Sequence, residues 1–234
     1  MSGKLYGVGL GPGDPELMTM KAHRLITGAA VVAYPAPEGG ASFARSIAAE
    51  VIPAGAREIR IDIPMDVARY PAQTAYDQGA EEIADVLKSG SDVVVLCEGD
   101  PFFYGSFMYL FARLSARFAT EIIPGVTSVT ACAAAAARPL SARNEVLTII
   151  PGTLSHEELR ARVAAADALA IMKVGRHLGK IRDVLDAAGL TDRAVYVARA
   201  SLPNQEMMPL ADAPETAPYF SMILVTKGAD PWLS

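Results

Sequence analysis

The sequence is poor in the residues that most often organise small sites. It has two cysteines, three histidines and one tryptophan in 234 residues. Cys97 and Cys132 lie in apolar surroundings, with no Cys-x-x-Cys spacing and no histidine cluster, which argues against a zinc site or a disulfide framework. Long apolar runs are missing: stretches such as Val93-Val94-Val95-Leu96-Cys97 fall far short of the ~20 residues that cross a bilayer. A basic excess is missing too. The net charge is −5, against the basic face expected of a nucleic-acid binder. Met1-Ser2-Gly3-Lys4 leads straight into a strand-like run with no signal-peptide pattern. With 51% apolar and 20% charged residues disorder is disfavoured, and the expectation is a cytoplasmic α/β protein.

Periodicity supplies the organisation. Apolar runs at 5–10, 30–33, 92–97 and 120–123 read as strands, and Ile59, Ile61 and Ile63 alternate with polar residues at period 2. Between them, Met18, Ala22, Leu25 and Ala29, then Phe43, Ile47 and Val51, residues 73–89, and Phe107, Leu110, Phe111 and Leu114 mark helix faces. After Pro124 a second series begins. It comprises a helix over 127–137, a strand over 146–150, a helix opened by the Ser155/Glu158 capping-box spacing, and a strand over 168–174. A helix capped by Gly189 follows, then strands at 195–197 and 220–226. This alternation predicts parallel sheets flanked by helices. It also predicts two domains, 1–119 and 120–234.

Four segments stand out at strand ends. Gly7-Val8-Gly9-Leu10-Gly11-Pro12-Gly13-Asp14 permits a tight turn and close backbone approach to a ligand. It fails both the GxGxxG and the Walker patterns. No acid ends the second strand to hold a ribose, since that strand ends Tyr34-Pro35. Nucleotide phosphates are therefore poorly supported, and a glycine turn without a ligand stays open. Cys97-Glu98-Gly99-Asp100-Pro101-Phe102-Phe103-Tyr104-Gly105 follows the most apolar strand, at the edge where open α/β sheets bind ligands. Pro124-Gly125-Val126-Thr127-Ser128 opens the alanine-rich helix and offers free N–H groups and two hydroxyls. Ile171-Met172-Lys173-Val174-Gly175-Arg176-His177 turns a buried strand basic, and no acid occurs between 173 and 182. Each segment also has a plain structural reading, as a turn, a plug at the sheet edge, a helix cap or a solvated helix start.

Taken in order, Val8–Pro15, Glu98–Gly105 and Pro124–Ser128 make the chain resemble the tetrapyrrole (corrin/porphyrin) methyltransferases. The resemblance implies a class III methyltransferase-like fold, two α/β domains with the active site in the trough between them. It implies S-adenosylmethionine as donor, S-adenosylhomocysteine as product, and a homodimer. It implies donor contacts from Pro12, Glu98, Gly99, Asp100, Phe103, Thr127, Ser128, Met172 and Ala200. Tyr34-Pro35, the segment 98–109 and Met172-Lys173-Val174-Gly175-Arg176 look most like the branch that methylates precorrin-2 at C20 to precorrin-3A in cobalamin synthesis. The alternatives are the cobalt-containing ring of the anaerobic pathway as substrate, or another branch of the tetrapyrrole methylases. Where some relatives carry an aspartate two residues beyond a tyrosine after the second strand, this chain has Ala36, and no catalytic base is identified.

The implied chemistry suits the inventory. Methyl transfer from a sulfonium to an electron-rich carbon is an in-line displacement that needs no metal. Holding two reactants in place can supply up to ~7–11 kcal/mol. The eight carboxylates of such a ring give the basic stretch a purpose. Lys173 and Arg176, with Arg138 or Arg143, are candidate anchors, and Tyr104 is a further substrate contact. The expected partner is this small molecule, without nucleic acid or membrane.

Overall fold

The computed structural model describes residues 1–64 and 69–228, with side chains of 69–71 also left aside. The chain divides into two compact units, Met1–Thr127 and Ser128–Ser234.

The first unit holds β1 (Leu5–Gly9), α1 (Met20–Thr27), β2 (Val31–Pro37), α2 (Phe43–Ile47), β3 (Arg57–Ile63), α3 (Arg69–Lys88), β4 (Val93–Cys97), α4 (Phe107–Leu114) and β5 (Thr120–Ile123). The sheet order is β3-β2-β4-β1-β5 and every pairing is parallel. All five residues of β4 are buried, as a central parallel strand covered on both faces requires. Its alternate residues divide between two cores. Val93, Val95 and Cys97 pack with Ile83, Leu87, Phe107 and Leu110 of α3 and α4. Val94 and Leu96 pack with Ala22, Ile26 and Ile47 of α1 and α2. The helices start where side-chain oxygens meet free N–H groups: Thr19 accepts from Ala22 and Ser42 from Arg45. Gly7 has a packing reason, since a Cβ there would stand 2.4 Å from the Phe107 ring.

The second unit holds α5 (Ser128–Ala135), β6 (Leu147–Pro151), α6 (His156–Ala165), β7 (Ala168–Met172), α7 (Leu178–Ala187), β8 (Ala194–Ala198), β9 (Glu206–Pro209) and β10 (Ser221–Thr226). Leu159, Val163, Ile181, Val184 and Leu185 of α6 and α7 cover Leu169, Ile171, Tyr196, Ile223 and Val225 of the sheet. The Ser155–Glu158 capping box forms in both directions. Gly189, at φ 65°, ends α7 in a Schellman turn, with Leu190 N–H on the Leu185 carbonyl and Gly189 N–H on that of Asp186.

Two expectations change. The domain division falls after Thr127 rather than after residue 119, because residues 120–123 pair with β1 and complete the first sheet. The second sheet, ordered β6-β7-β10-β8-β9, is not largely parallel. Only β6/β7 is parallel, and β7/β10, β10/β8 and β8/β9 are antiparallel. A parallel return needs a crossover of a dozen or more residues. The link at 199–205 is a short hairpin, and β9, mostly exposed, has no apolar run to announce it.

Candidate functional site

In the first unit the sequence motifs converge on the carboxyl edge of the parallel sheet. The ends of β1 and β4 are zipped beyond their strands: Gly11 N–H donates to the Gly99 carbonyl at 3.2 Å, and Gly99 N–H to the Gly11 carbonyl at 2.7 Å. The segment after β5 closes on both. A Cβ on Gly125 would stand 2.1 Å from the Gly99 oxygen, and one on Gly9 would stand 2.6 Å from the Gly125 nitrogen. Three loops thus meet backbone to backbone, which only glycine permits. Gly99, at φ 67°, has nothing within 4 Å of its missing Cβ, so its α-carbon faces open space at this junction.

Asp100 holds the junction together. Its Oδ1 accepts from the N–H groups of Phe102 and Phe103 at 2.9 and 3.1 Å, and its Oδ2 accepts from Gly125 N–H at 3.0 Å. Charge-assisted bonds of this kind are about twice as strong as neutral ones. Pro12 is half-buried between Gly11 and Gly13, both at positive φ. Glu98 and Phe103 are half-buried beside this junction. Tyr104 is 46% exposed, sits at φ 56°, and meets Phe103 edge-on at 5.3 Å. Thr127 closes the first unit, half-buried.

The remaining candidates belong to the second unit. Ser128 is the first residue of α5. Met172 ends β7, half-buried, in register with Pro151 and Met222. Ala200 lies just beyond β8 and is buried. Pro151, Met172 and Ala198 end their strands and Ser221 opens the antiparallel β10 beside them, so the basic turn and the turn after β8 share one sheet edge. The acid-free stretch is divided in use. Lys180 donates to the Leu154 carbonyl and Arg182 to those of Leu210 and Ala213. Lys173 and Arg176 are exposed. Burial, then the nearby charges of Lys180 and Arg176, pushes the His177 pKa below its ordinary value.

Sequence reasoning did not single out Gly9 and Gly125 as packing partners, although both lie in the quoted motifs. Nor did it find Tyr76. This α3 tyrosine is buried 4.9 Å from the Tyr109 ring, and burial raises its pKa to about 12. Its only signal was a place on the α3 apolar face.

Residues 4–214 match the model of the tetrapyrrole (corrin/porphyrin) methylases. The chain belongs to this family. Among curated relatives, a precorrin-2 C(20)-methyltransferase from a Sinorhizobium species is 43% identical over 232 residues, which cover 95% of both chains. The cobalamin biosynthesis protein CobIJ of Mycobacterium tuberculosis H37Rv is 46% identical over 97% of this chain and 46% of its own length. The chain therefore spans about half of that relative. Among solved structures, a uroporphyrin-III C-methyl transferase from Thermus thermophilus, complexed with S-adenyl homocysteine, aligns with TM-score 0.69. That structure is 25% identical, over 95% of this tetrapyrrole methylase and 97% of its own chain.

Proposed function

We propose that this tetrapyrrole methylase transfers a methyl group from S-adenosylmethionine to C20 of precorrin-2, giving precorrin-3A. The observation that carries the reading is the end-to-end likeness, over 95% of both chains, to a precorrin-2 C(20)-methyltransferase. The first sheet edge fits the donor. Its loops meet one another through their backbones, and the missing Cβ of Gly99 leaves open space. When bound, the donor supplies a methyl group made electrophilic by a sulfonium. The chain's own residues position the reactants. The Asp100 carboxylate fixes the three loops, Pro12, Gly99 and Phe103 shape the donor surface, and Glu98 sets a carboxylate beside a cationic donor. In the second unit Met172 and Ala200 pack against the donor, and Ser128, with Thr127 of the first, offers it a hydroxyl.

Lys173 and Arg176 bind ring carboxylates, with Tyr104 as a further ring contact. Cations at these positions add affinity for a polyanionic ring without touching the reacting carbon, so they act on KM more than on kcat. The homodimer and the cytoplasmic location belong to the same proposal. No helix among the described residues is long and apolar enough to cross a membrane.

The test is incubation with methyl-labelled donor and precorrin-2, with and without cobalt, followed by NMR of the product. Label at C20 of the metal-free ring supports the reading. Label elsewhere contradicts it, and label at C20 only with cobalt moves the substrate to the metallated ring.

A further inference from the structure

The second unit has a feature outside the site described above. Ala133 and Ala134 of α5 form, with Ala137, Pro139 and Leu140 just beyond the helix, the floor of an open groove of about 450 Å³, and Arg138 lines it. The chain reaches this position through a left-handed turn. Ala137 sits at φ 47°, and Arg138 N–H donates to the Ala133 carbonyl at 3.0 Å, closing a Schellman turn. Alanine in this conformation costs roughly 1–2 kcal/mol relative to glycine.

Arg138 is half-buried, and its guanidinium makes no ion pair or side-chain hydrogen bond among the described residues. Its nearest charged influence is another cation, Arg193, whose guanidinium is tied to the Lys227 carbonyl. Burial first, and Arg193 second, push the Arg138 pKa below the ordinary guanidinium value. A partly dehydrated cation without a counter-ion is destabilising. The negative end of the short helix α5 offsets only about 0.3–1 kcal/mol of that. An apolar floor with a bare guanidinium at its rim matches one chemistry, a carboxylate carried on a short aliphatic stem. The stem covers the alanines, and the carboxylate pairs with the fork of Arg138.

We propose that this groove is a carboxylate subsite in which Arg138 holds a propionate arm of the macrocyclic substrate. The assignment rests on the tetrapyrrole reading for its ligand, and the test separates the two. Uroporphyrin, a stable ring with eight carboxylates, is titrated by fluorescence into the wild type, Arg138→Met and Arg138→Lys, and each Tm is measured. Methionine keeps the stem over the alanines while removing the charge. The expected result is about tenfold weaker binding by Arg138→Met, within the range of one charge-assisted hydrogen bond. Partial rescue by lysine is expected, with a Tm that is unchanged or raised. Unchanged affinity overturns the subsite. A lowered Tm with unchanged affinity overturns it too, making Arg138 a helix cap only.

Hexanoate distinguishes the source of the carboxylate. Hexanoate that binds the wild type but not Arg138→Met, with uroporphyrin binding equal in both, assigns the groove to small free acids and overturns the ring-arm assignment. Should the wild type methylate precorrin-2 while Arg138→Met keeps the same substrate KM, the subsite falls and the activity stands. Should no methylated ring form while the uroporphyrin difference persists, the activity falls and the subsite stands.

Discussion

The carboxyl edge of the first sheet and the matching edge of the second are built in opposite ways. At the first, the left-handed positions at the junction itself, Gly11 and Gly99, are glycines, Tyr104 at φ 56° standing five residues beyond Gly99, and Gly9 and Gly125 let three loops touch through their main chains. At the second, Lys173, Arg199 and Ser201 hold left-handed φ values of 56°, 52° and 69° at the ends of β7 and β8. The left-handed conformation costs each roughly 1–2 kcal/mol of backbone strain, which the extra flexibility of an unfolded glycine would partly offset. At the junction the first edge brings backbone together beside open space, and the second keeps side chains at left-handed positions, Arg199 tied to the Asn204 carbonyl and to Glu206 and Lys173 exposed. Strain retained in this way is a mark of sites where the side chain itself is used. In the proposed reading most donor contacts, Pro12, Glu98, Gly99, Asp100 and Phe103, fall at the first edge, and the charged ring contacts, Lys173 and Arg176, at the second.

The comparison can be broken at several points. The largest effect is expected at Gly125→Ala, whose Cβ would lie 2.1 Å from the Gly99 carbonyl oxygen. With backbone on both sides, nothing can yield cheaply. The substitution should cost about 3 kcal/mol in urea unfolding, the upper part of the overpacking range, and abolish donor binding. Asp100→Asn comes next. An amide can accept with only one oxygen, so either the Phe102 and Phe103 bonds or the Gly125 bond is lost. A loss of about 1.5–3 kcal/mol is expected, together with weaker donor binding by calorimetry. The smallest change runs the other way. Lys173→Gly should raise stability by roughly 0.5–1 kcal/mol by relieving a left-handed residue, while raising the KM for the ring and leaving the donor affinity unchanged. A fall in stability there would remove the contrast between the two edges.

Much of this was legible in the sequence, for identifiable reasons. Strands buried on both faces announce themselves as continuous apolar runs, so β4 and its neighbours were readable. Ser155 with Glu158, and Gly189, carry their capping chemistry in their identity. The motifs at the first edge were readable because close backbone approach demands glycine. The antiparallel second sheet was not, because strand direction depends on where a link returns, and the mostly exposed β9 carries only the pair Met207-Met208, too short for an apolar run. The task of Asp100 was also hidden. Its partners are backbone N–H groups two, three and twenty-five residues away, and no side-chain pattern encodes them. The groove beside Arg138 depends on what fails to pair with a cation, which only the folded structure displays.

The central claim is that the first edge holds the donor through its main chain. Gly99→Ala tests it most directly, because among the described residues, its chain neighbours aside, the added Cβ meets no atom within 4 Å. It would occupy the space assigned to the donor. The backbone strain at φ 67° should cost about 1–2 kcal/mol, leaving the fold intact. Titration calorimetry with S-adenosylhomocysteine should show affinity lowered at least tenfold in a variant that still unfolds cooperatively. A cooperative variant that binds as tightly as the wild type would contradict the account.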